Sequence, residues 1–520
     1  MLESFFKKND LIIQRLFEII PGLLLWILLL SPIWGGFYIP SIIANGLVIL
    51  SVYWLYKTIL TFIGSIVGFI KYKKAINTNW LNECLKLKKT LLPNQEEIPK
   101  DLFPKQLIVI ANYGEDYNVL SRSIRALTMQ NYPAEKIYLA VSIENRKAKK
   151  DPDYAKRGEY LNRDFGDFFG DRLMFFSHPD DIPGEAIGAA ANRTWGTRNS
   201  VDVLEARGEN LKEFLITAPD GDLVLSKEYL ASLTYKWLVS EKRNQKFFQP
   251  ALYTFNNNYW DVPMLVRILM LSITIPVLAS STVEKHKRET WSCYTLNLQV
   301  MKNVNYWDTS LAIDDTPFYW RPYFYFNGDW TCEIFFVSLS ADAIYHPSYF
   351  KNHIDQYKQY LRWGWGIITF PLALKLLIVS RKINNWEKLS KIFHLFEVFI
   401  LGRVISFLLA FGIPILLLIS TNFNKLTTAY YIPATISQIL SVSFILIIPG
   451  IGLKMLIIPP KPKNMSNFKY LLILIIEAPM NILVLFTFSF IPFIEASTRM
   501  MLGQDPTKRI KWADKQLATA

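Results

Sequence analysis

The sequence predicts an α/β domain with a mostly parallel sheet, set between hydrophobic segments at both ends. Three observations carry that expectation. Apolar residues make up 51% of the 520-residue chain, yet they concentrate at residues 16–70 and again after residue 364. Between those blocks, apolar runs of strand length alternate with amphipathic stretches of helix length, the pattern of βαβ units. The 57 Lys and Arg against 44 Asp and Glu leave a net charge of +13, but many of the cations flank the hydrophobic blocks instead of forming one basic arm. Cations so placed suit anionic lipid and helix orientation, so a lipid bilayer is the expected partner and nucleic acid is not.

From the N-terminus, one hydrophobic stretch runs from Leu16 to Trp34 and a second from Ile42 to Ile70. Each is long enough to span a bilayer. Lys7, Lys8 and Arg15 precede the first, as in a signal peptide. The run is long, however, no small-residue cleavage site follows, and a second run comes directly after, which predicts an uncleaved anchor. The linker Gly35–Gly46 carries no charge, while Lys71, Lys73 and Lys74 follow the second span. The excess of cations then puts the N-terminus and everything after Lys71 in the cytoplasm. Three widely separated cysteines, Cys84, Cys293 and Cys332, fit a reducing compartment and give no metal-ligand spacing.

In the middle region, Gln106–Ala111, Ile137–Ile143, Leu173–Ser177 and Phe214–Ala218 read as buried strands. Asp116–Gln130, Glu185–Arg207 and Ser226–Ser240 read as the helices between them. Ligands of such sheets bind beyond the carboxyl ends of the strands, so chemistry is expected there. After Trp363 the chain is apolar again. Gly364–Ser380, with Pro371 and Lys375, reads either as an interfacial helix or as a span. Phe393–Ser420, Tyr431–Ile458 and Phe468–Ala496 are long enough to cross. The predicted organisation is two membrane helices (1–74), a cytosolic catalytic domain (75–363), an interfacial segment (364–392), C-terminal membrane helices (393–498) and a basic tail (499–520).

Three short motifs carry candidate chemistry. Asp220-Gly221-Asp222 follows an apolar strand, where two carboxylates one residue apart can grip a hard divalent cation that also binds a diphosphate. The same dipeptides also make ordinary turns. Asp314-Asp315 offers a carboxylate that can take a proton from an attacking hydroxyl, or simply a helix N-cap. Gln359-Tyr360-Leu361-Arg362-Trp363 closes the middle region. Its Arg provides fixed donors for a diphosphate and its Trp a stacking face for a sugar, although both residue types also anchor membrane boundaries.

Taken in this order, the motifs resemble the membrane-bound family 2 glycosyltransferases, the group of cellulose, chitin and hyaluronan synthases. The resemblance covers the arrangement of nearly the whole chain. It implies a GT-A catalytic fold, one inverting displacement at the anomeric carbon, and Mg2+ or Mn2+ as cofactor. By the resemblance, Asp222 holds the metal with Asp220 beside the donor, and Asp315 is the base with Asp314 in place of the usual Glu. Gln359, Arg362 and Trp363 bind diphosphate and acceptor. Ala111-Asn112-Tyr113-Gly114-Glu115 is similar to the family's P-x-Y-N-E turn, which makes Tyr113 and Glu115 nucleotide contacts. Glu144 takes the place of the base-contacting Asp, and Asn192 matches the end of a G-K-G-A-N stretch.

The departures are Ala111 for Pro, Glu144 for Asp and Ala189 for Lys, as in a divergent subfamily. Losing the lysine removes a point charge from a phosphate site, for which Arg193 is a substitute on offer. The implied partners are a nucleotide-sugar donor, UDP-linked in the leading version, and a carbohydrate or lipid-linked acceptor. The leading activity is extension of a polysaccharide. The alternatives are transfer of one sugar to a lipid or polyprenyl phosphate, and a non-catalytic membrane scaffold or sugar sensor. Two further features stay open at this stage: His178 as a strand-end element, and the aromatic run Trp307–Trp330 as either a sugar track or packing.

Overall fold

The computed structural model of the protein describes residues 10–504. Lys7, Lys8 and the tail cations Lys508, Arg509 and Lys511 lie outside the described residues. The chain divides into two compact units. One falls within Met1–Ile66, Tyr357–Ile458 and Met465–Pro506, and the other within Val67–Gln356 and Pro459–Asn464.

The second unit is built on one eight-stranded mixed sheet. Its strands are β1 (Lys105–Asn112), β2 (Ile137–Glu144), β3 (Leu173–His178), β4 (Phe214–Thr217), β5 (Val224–Leu225), β6 (Lys246–Thr254), β7 (Thr295–Asn297) and β8 (Thr331–Ser340). They lie in the order β3-β2-β1-β4-β7-β6-β8-β5. The block β3-β2-β1-β4 is parallel throughout, β6 pairs with β8 in parallel, and β7 and β5 run against their neighbours.

The four strands read from the sequence are all present, and so are helices Tyr117–Thr128, Ala189–Ala206 and Tyr229–Val239. They were legible because Leu107–Val109 and Leu139–Val141 are wholly buried, and a strand covered on both faces is one unbroken apolar run. β6 and β8 were not. β6 carries Gln249-Pro250 in its centre, with an irregular register at Pro250/Leu252, and β8 only alternates buried with half-buried residues. A proline inside a run argues against a strand.

Strands are added in opposite directions on the two sides of β1, so the chain opens a crevice at the carboxyl ends of β1 and β4. Asp220 forms an isolated parallel bridge with Ala111, which lays the turn after β4 beside the end of β1. Most of the aromatic run proves to be core, with Tyr325 exposed and Phe324 and Phe326 half-buried. Trp307, Phe318, Tyr319, Tyr323 and Trp330 are buried, Trp330 stacks on Phe247 with centroids 5.8 Å apart, and Trp307 Nε1 donates to Tyr294 Oη at 2.6 Å. The three cysteines are free and buried.

Seven described helical stretches are long and apolar enough to cross a membrane: Leu11–Leu29, Pro40–Ile76, Met264–Val283, Tyr349–Val379, Asn385–Ile419, Thr427–Leu446 and Asn467–Met501. Three details differ from expectation. The linker Gly35–Gly46 is no loop: Ser31–Tyr38 is a helix, and Pro40 opens another of 37 residues. The linker holds helix-disfavouring glycines as well as Pro40, but Pro40 falls at the first position of its helix, where it costs no hydrogen bond. Helical structure also begins before the apolar block Gly364–Ser380: helix Tyr349–Gly364 runs through the tight turn Trp365–Ile368 into helix Thr369–Val379. Pro371 falls in the first turn of its helix Thr369–Val379, where proline is tolerated. The third is Met264–Val283, an apolar helix inside the α/β unit that the reading passed over.

Within the helical unit, three ionisable residues of the candidate spans have protein partners. Glu397 meets Lys57 at 3.0 Å and Tyr53 Oη at 2.5 Å, Glu477 meets Lys454 at 2.5 Å, and Arg403 lies 3.8 Å from the centre of the Phe493 ring. Pairing of this kind is how apolar surroundings accommodate charge.

Candidate active site

The two aspartates of the turn after β4 sit in unlike places. Asp222 is buried, its Oδ2 accepts from the Asp342 backbone N–H at 3.1 Å, and its carbonyl accepts from Asn257 Nδ2 at 3.1 Å. Asp220 leaves half its side chain exposed, and its Oδ1 accepts from Arg193 Nη2 at 2.6 Å.

Arg193 is the centre of the arrangement. It rises from the first turns of helix Ala189–Ala206, only 3% of its side chain is exposed, and its other terminal nitrogen, Nη1, donates to Asp314. One buried guanidinium therefore joins the two acidic motifs. Burial works against its charge, but Asp314 and Asp220 outweigh that and hold it protonated.

Asp314 stands where an N-cap of the short helix Asp315–Phe318 belongs, yet its side chain caps nothing there and turns to Arg193 instead. Asp315 is tied by Ser292 N–H to Oδ2 at 3.1 Å and by Thr316 N–H to Oδ1 at 2.8 Å. Burial, and next the charge of Asp314, push its carboxyl up to about 6. The acid pair reaches helix Ala189–Ala206 because its loop docks closely there. Ala186 N–H donates to Thr309 O at 2.7 Å, and a Cβ on Gly188 would stand 2.8 Å from Ala312 O, a distance only glycine permits.

The nucleotide-side residues of the resemblance gather at the ends of β1 and β2. Gly114, at φ +82°, lets the chain turn after β1. Glu115 Oε2 then accepts from Asn112 Nδ2 at 2.5 Å and Tyr113 N–H at 2.8 Å, while the Tyr113 side chain stays exposed. Asn112 O accepts from Tyr154 Oη at 2.6 Å and Asn192 Nδ2 at 3.3 Å. Glu144 Oε2 meets His178 Nδ1 at 2.8 Å, and His178 Nε2 meets Glu185 Oε2 at 2.9 Å. Burial disfavours the imidazolium, but the two carboxylates outweigh it and raise the His178 pKa. Glu144 Oε1, Asn112 Oδ1 and Asn192 Oδ1 are buried with no donor facing them.

Asp220, Asp222, Asp314 and the donor-side residues thus belong to one unit. Gln359, Arg362 and Trp363 lie in the other, at the end of helix Tyr349–Gly364. There Gln359 is buried, the Tyr360 ring is 4.9 Å from Trp363, and Gly364 packs on Ala496. From the sequence Arg193 is legible only as a substitute for the absent lysine, and nothing in the local sequence marks Glu185, Arg122 or Asp342. Arg122 Nη2 donates to Asp342 Oδ1 at 2.5 Å, so it steadies the residue whose amide holds Asp222. Asp342 follows β8, a strand with no clear signal in the sequence.

The chain matches no protein-family model and no curated protein. Among solved structures it is similar to the mannosyltransferase PcManGT from Pyrobaculum calidifontis in complex with GDP-Man and Mn2+. That likeness is 12% in identity, covers 84% of this chain and 99% of that one, and has a TM-score of 0.35. It is also similar to S. aureus TarS 1–349 in complex with UDP-GlcNAc, at 10% identity, 65% and 90% coverage and a TM-score of 0.34. Likeness at these scores carries no weight for activity, substrate or metal; the chain's own residues must do that.

Proposed function

We propose that the α/β unit is a family 2, GT-A-type glycosyltransferase of the cell membrane, facing the cytoplasm, that moves a sugar from a nucleotide-sugar donor to a carbohydrate or lipid-linked acceptor. The observation that carries this reading is the Arg193 bridge. It fastens a half-exposed aspartate at a strand end to an acid pair whose second member, Asp315, is buried and has a raised pKa, the environment expected of a general base.

In this reading Asp315 takes the proton of the acceptor hydroxyl as its oxygen attacks the anomeric carbon. The sugar–phosphate bond breaks from the opposite face, the nucleoside diphosphate leaves, and configuration inverts. Asp314, held by Arg193, stands beside Asp315, and its nearness adds to burial in raising the Asp315 pKa. Tyr113, Glu115, Glu144 and Asn192 line the donor side, where the unpartnered acceptor oxygens of Asn112, Glu144 and Asn192 suit a ligand bearing N–H groups. Gln359, Arg362 and Trp363 of the helical unit carry the diphosphate and acceptor roles only as the family resemblance implies them.

Asp220 and Asp222 offer hard carboxylate oxygens, suited to Mg2+ or Mn2+. No cluster of three or more His, Cys, Asp or Glu able to hold a metal occurs among the described residues. Bound there, the metal would neutralise charge on the leaving group. A UDP-sugar and a growing polysaccharide are the leading substrates.

Nucleoside-diphosphate release by the detergent-purified protein, over UDP-, GDP- and dTDP-sugars with Mn2+ or Mg2+, tests the reading. Consumption of one donor, abolished in Asp222→Ala and Asp315→Asn, supports it. Inactivity of the native protein on every donor, lipid extract included, overturns it, and product sizing separates polymer from single transfer.

A further inference from the structure

Helix Met264–Val283 does not fit the surface of a water-soluble α/β domain. It is 20 residues long, about 30 Å at the usual rise. Its one charged side chain, Arg267, is buried, with Nη1 donating to Val262 O at 3.0 Å and its guanidinium 5.6 Å from the centre of the Trp260 ring. From Ile268 to Val283 the chain has no charge at all. One face is spent on the fold, where Val266, Ile268, Leu269, Met270 and Leu278 are buried and the helix packs on β6. The other face presents Ser272 and Pro276, exposed, with Ile273, Ile275 and Val277 half-buried between them. A helix facing water along one side normally places charges there.

What surrounds the helix within the same unit identifies the occupant of that face. Near its C-terminal end it meets the last turns of helix Pro40–Ile76, the second predicted span. A Cβ on Gly68 would stand 2.5 Å from Thr282 Oγ1 and 3.0 Å from Leu278. Lys71, Lys73 and Lys74 mark the end of that span, and Lys285 and Lys287 follow helix Met264–Val283 itself. Before its N-terminal end, Trp260 Nε1 donates to the carbonyls of Pro459 at 3.3 Å and Pro460 at 3.0 Å. Those prolines open the Lys461/Lys463 loop that follows helix Thr427–Ile457. Both ends of the apolar helix therefore touch segments at which a predicted membrane helix gives way to cations. Tryptophan and lysine are the residues that favour the headgroup layer.

We propose that helix Met264–Val283 lies in the headgroup–acyl boundary of the bilayer, as an in-plane anchor that seats the α/β unit on the lipid surface. It has the length and composition of a span but does not cross, because a crossing helix would have to give up the face it buries on β6. The sheet supplies one wall of its groove and lipid the other. This inference does not depend on the reaction the unit performs.

The test is depth-dependent quenching in proteoliposomes of the full chain. Cys84, Cys293 and Cys332 are buried, and burial pushes their thiols up to about 12, so a cysteine added at the surface labels selectively at neutral pH. Ile275→Cys and the milder Ser272→Cys, each carrying an environment-sensitive fluorophore, are compared with Asp167→Cys on the exposed side of helix Arg157–Phe169. The expected result is loss of fluorescence at 272 and 275 to lipids brominated near the headgroup, little loss to lipids brominated at the acyl terminus, and none at 167. Three outcomes overturn the proposal. Quenching by aqueous iodide at 272 and 275 means the face is wet. Protection from both iodide and brominated lipid means a second copy or another protein covers it. Strongest quenching from the acyl terminus means the helix crosses.

Discussion

The two acid pairs of the site have nearly the same composition and opposite circumstances. In Asp220-Gly221-Asp222 the outer carboxylate is half exposed and the inner one is pinned by a backbone amide. In Asp314-Asp315 the first member is fixed by a guanidinium, and the second is buried and pushed up to about 6. In the proposed reaction the first pair meets a charged ligand and the second exchanges a proton. The difference lies in surroundings, since an aspartate's role follows from its desolvation and neighbours.

Asp315→Asn should separate the pairs most sharply. It keeps the shape and removes the base, so sugar transfer should fall by roughly 10²–10⁴-fold while donor binding survives. Equal loss of donor binding in a direct binding assay would break the contrast. Arg193→Ala removes the link between the pairs and leaves Asp314 uncompensated. Thermal unfolding should report about 3 kcal/mol of lost stability, taken at the low end because Asp220 is half exposed. An unchanged melting temperature would mean the bridge contributes little.

Gly188→Ala tests the docking of the second pair without touching a charge. The added methyl meets the Ala312 backbone, so stability should drop by about 1–3 kcal/mol and activity with it. The smallest effect is on pH dependence. The pair shares its protons, so an apparent value is expected, and kcat/KM should decline as pH falls below about 6, when Asp315 gains a proton and can no longer accept one. A rate that holds level well below that pH would assign the base elsewhere.

The parallel half of the sheet was legible because buried strands are unbroken apolar runs, and the D-G-D turn because it follows such a strand. Arg193 was visible only as a stand-in for an absent lysine. That its two ends reach Asp220 and Asp314 depends on a loop docking that no spacing in the chain encodes. His178 was read as a strand-end element, which it is, but its clasp between Glu144 and Glu185 requires β2 and β3 to lie side by side. The aromatic run was ambiguous because packing and a sugar track use the same residues; burial decides for packing. Helix Met264–Val283 is as apolar as a span, but it lies between strands of the α/β region, where a run of that composition reads equally as buried core.

By itself, then, the sequence determined what depends on local order: strand and helix periodicity, the hydrophobic blocks, and acidic motifs in a particular succession. The tertiary structure alone decided which carboxylate is exposed and which is buried, which cation joins them, and which apolar helix spends one face on the sheet. Those outcomes rest on contacts between residues far apart in the chain, where desolvation and packing act only after the fold has closed.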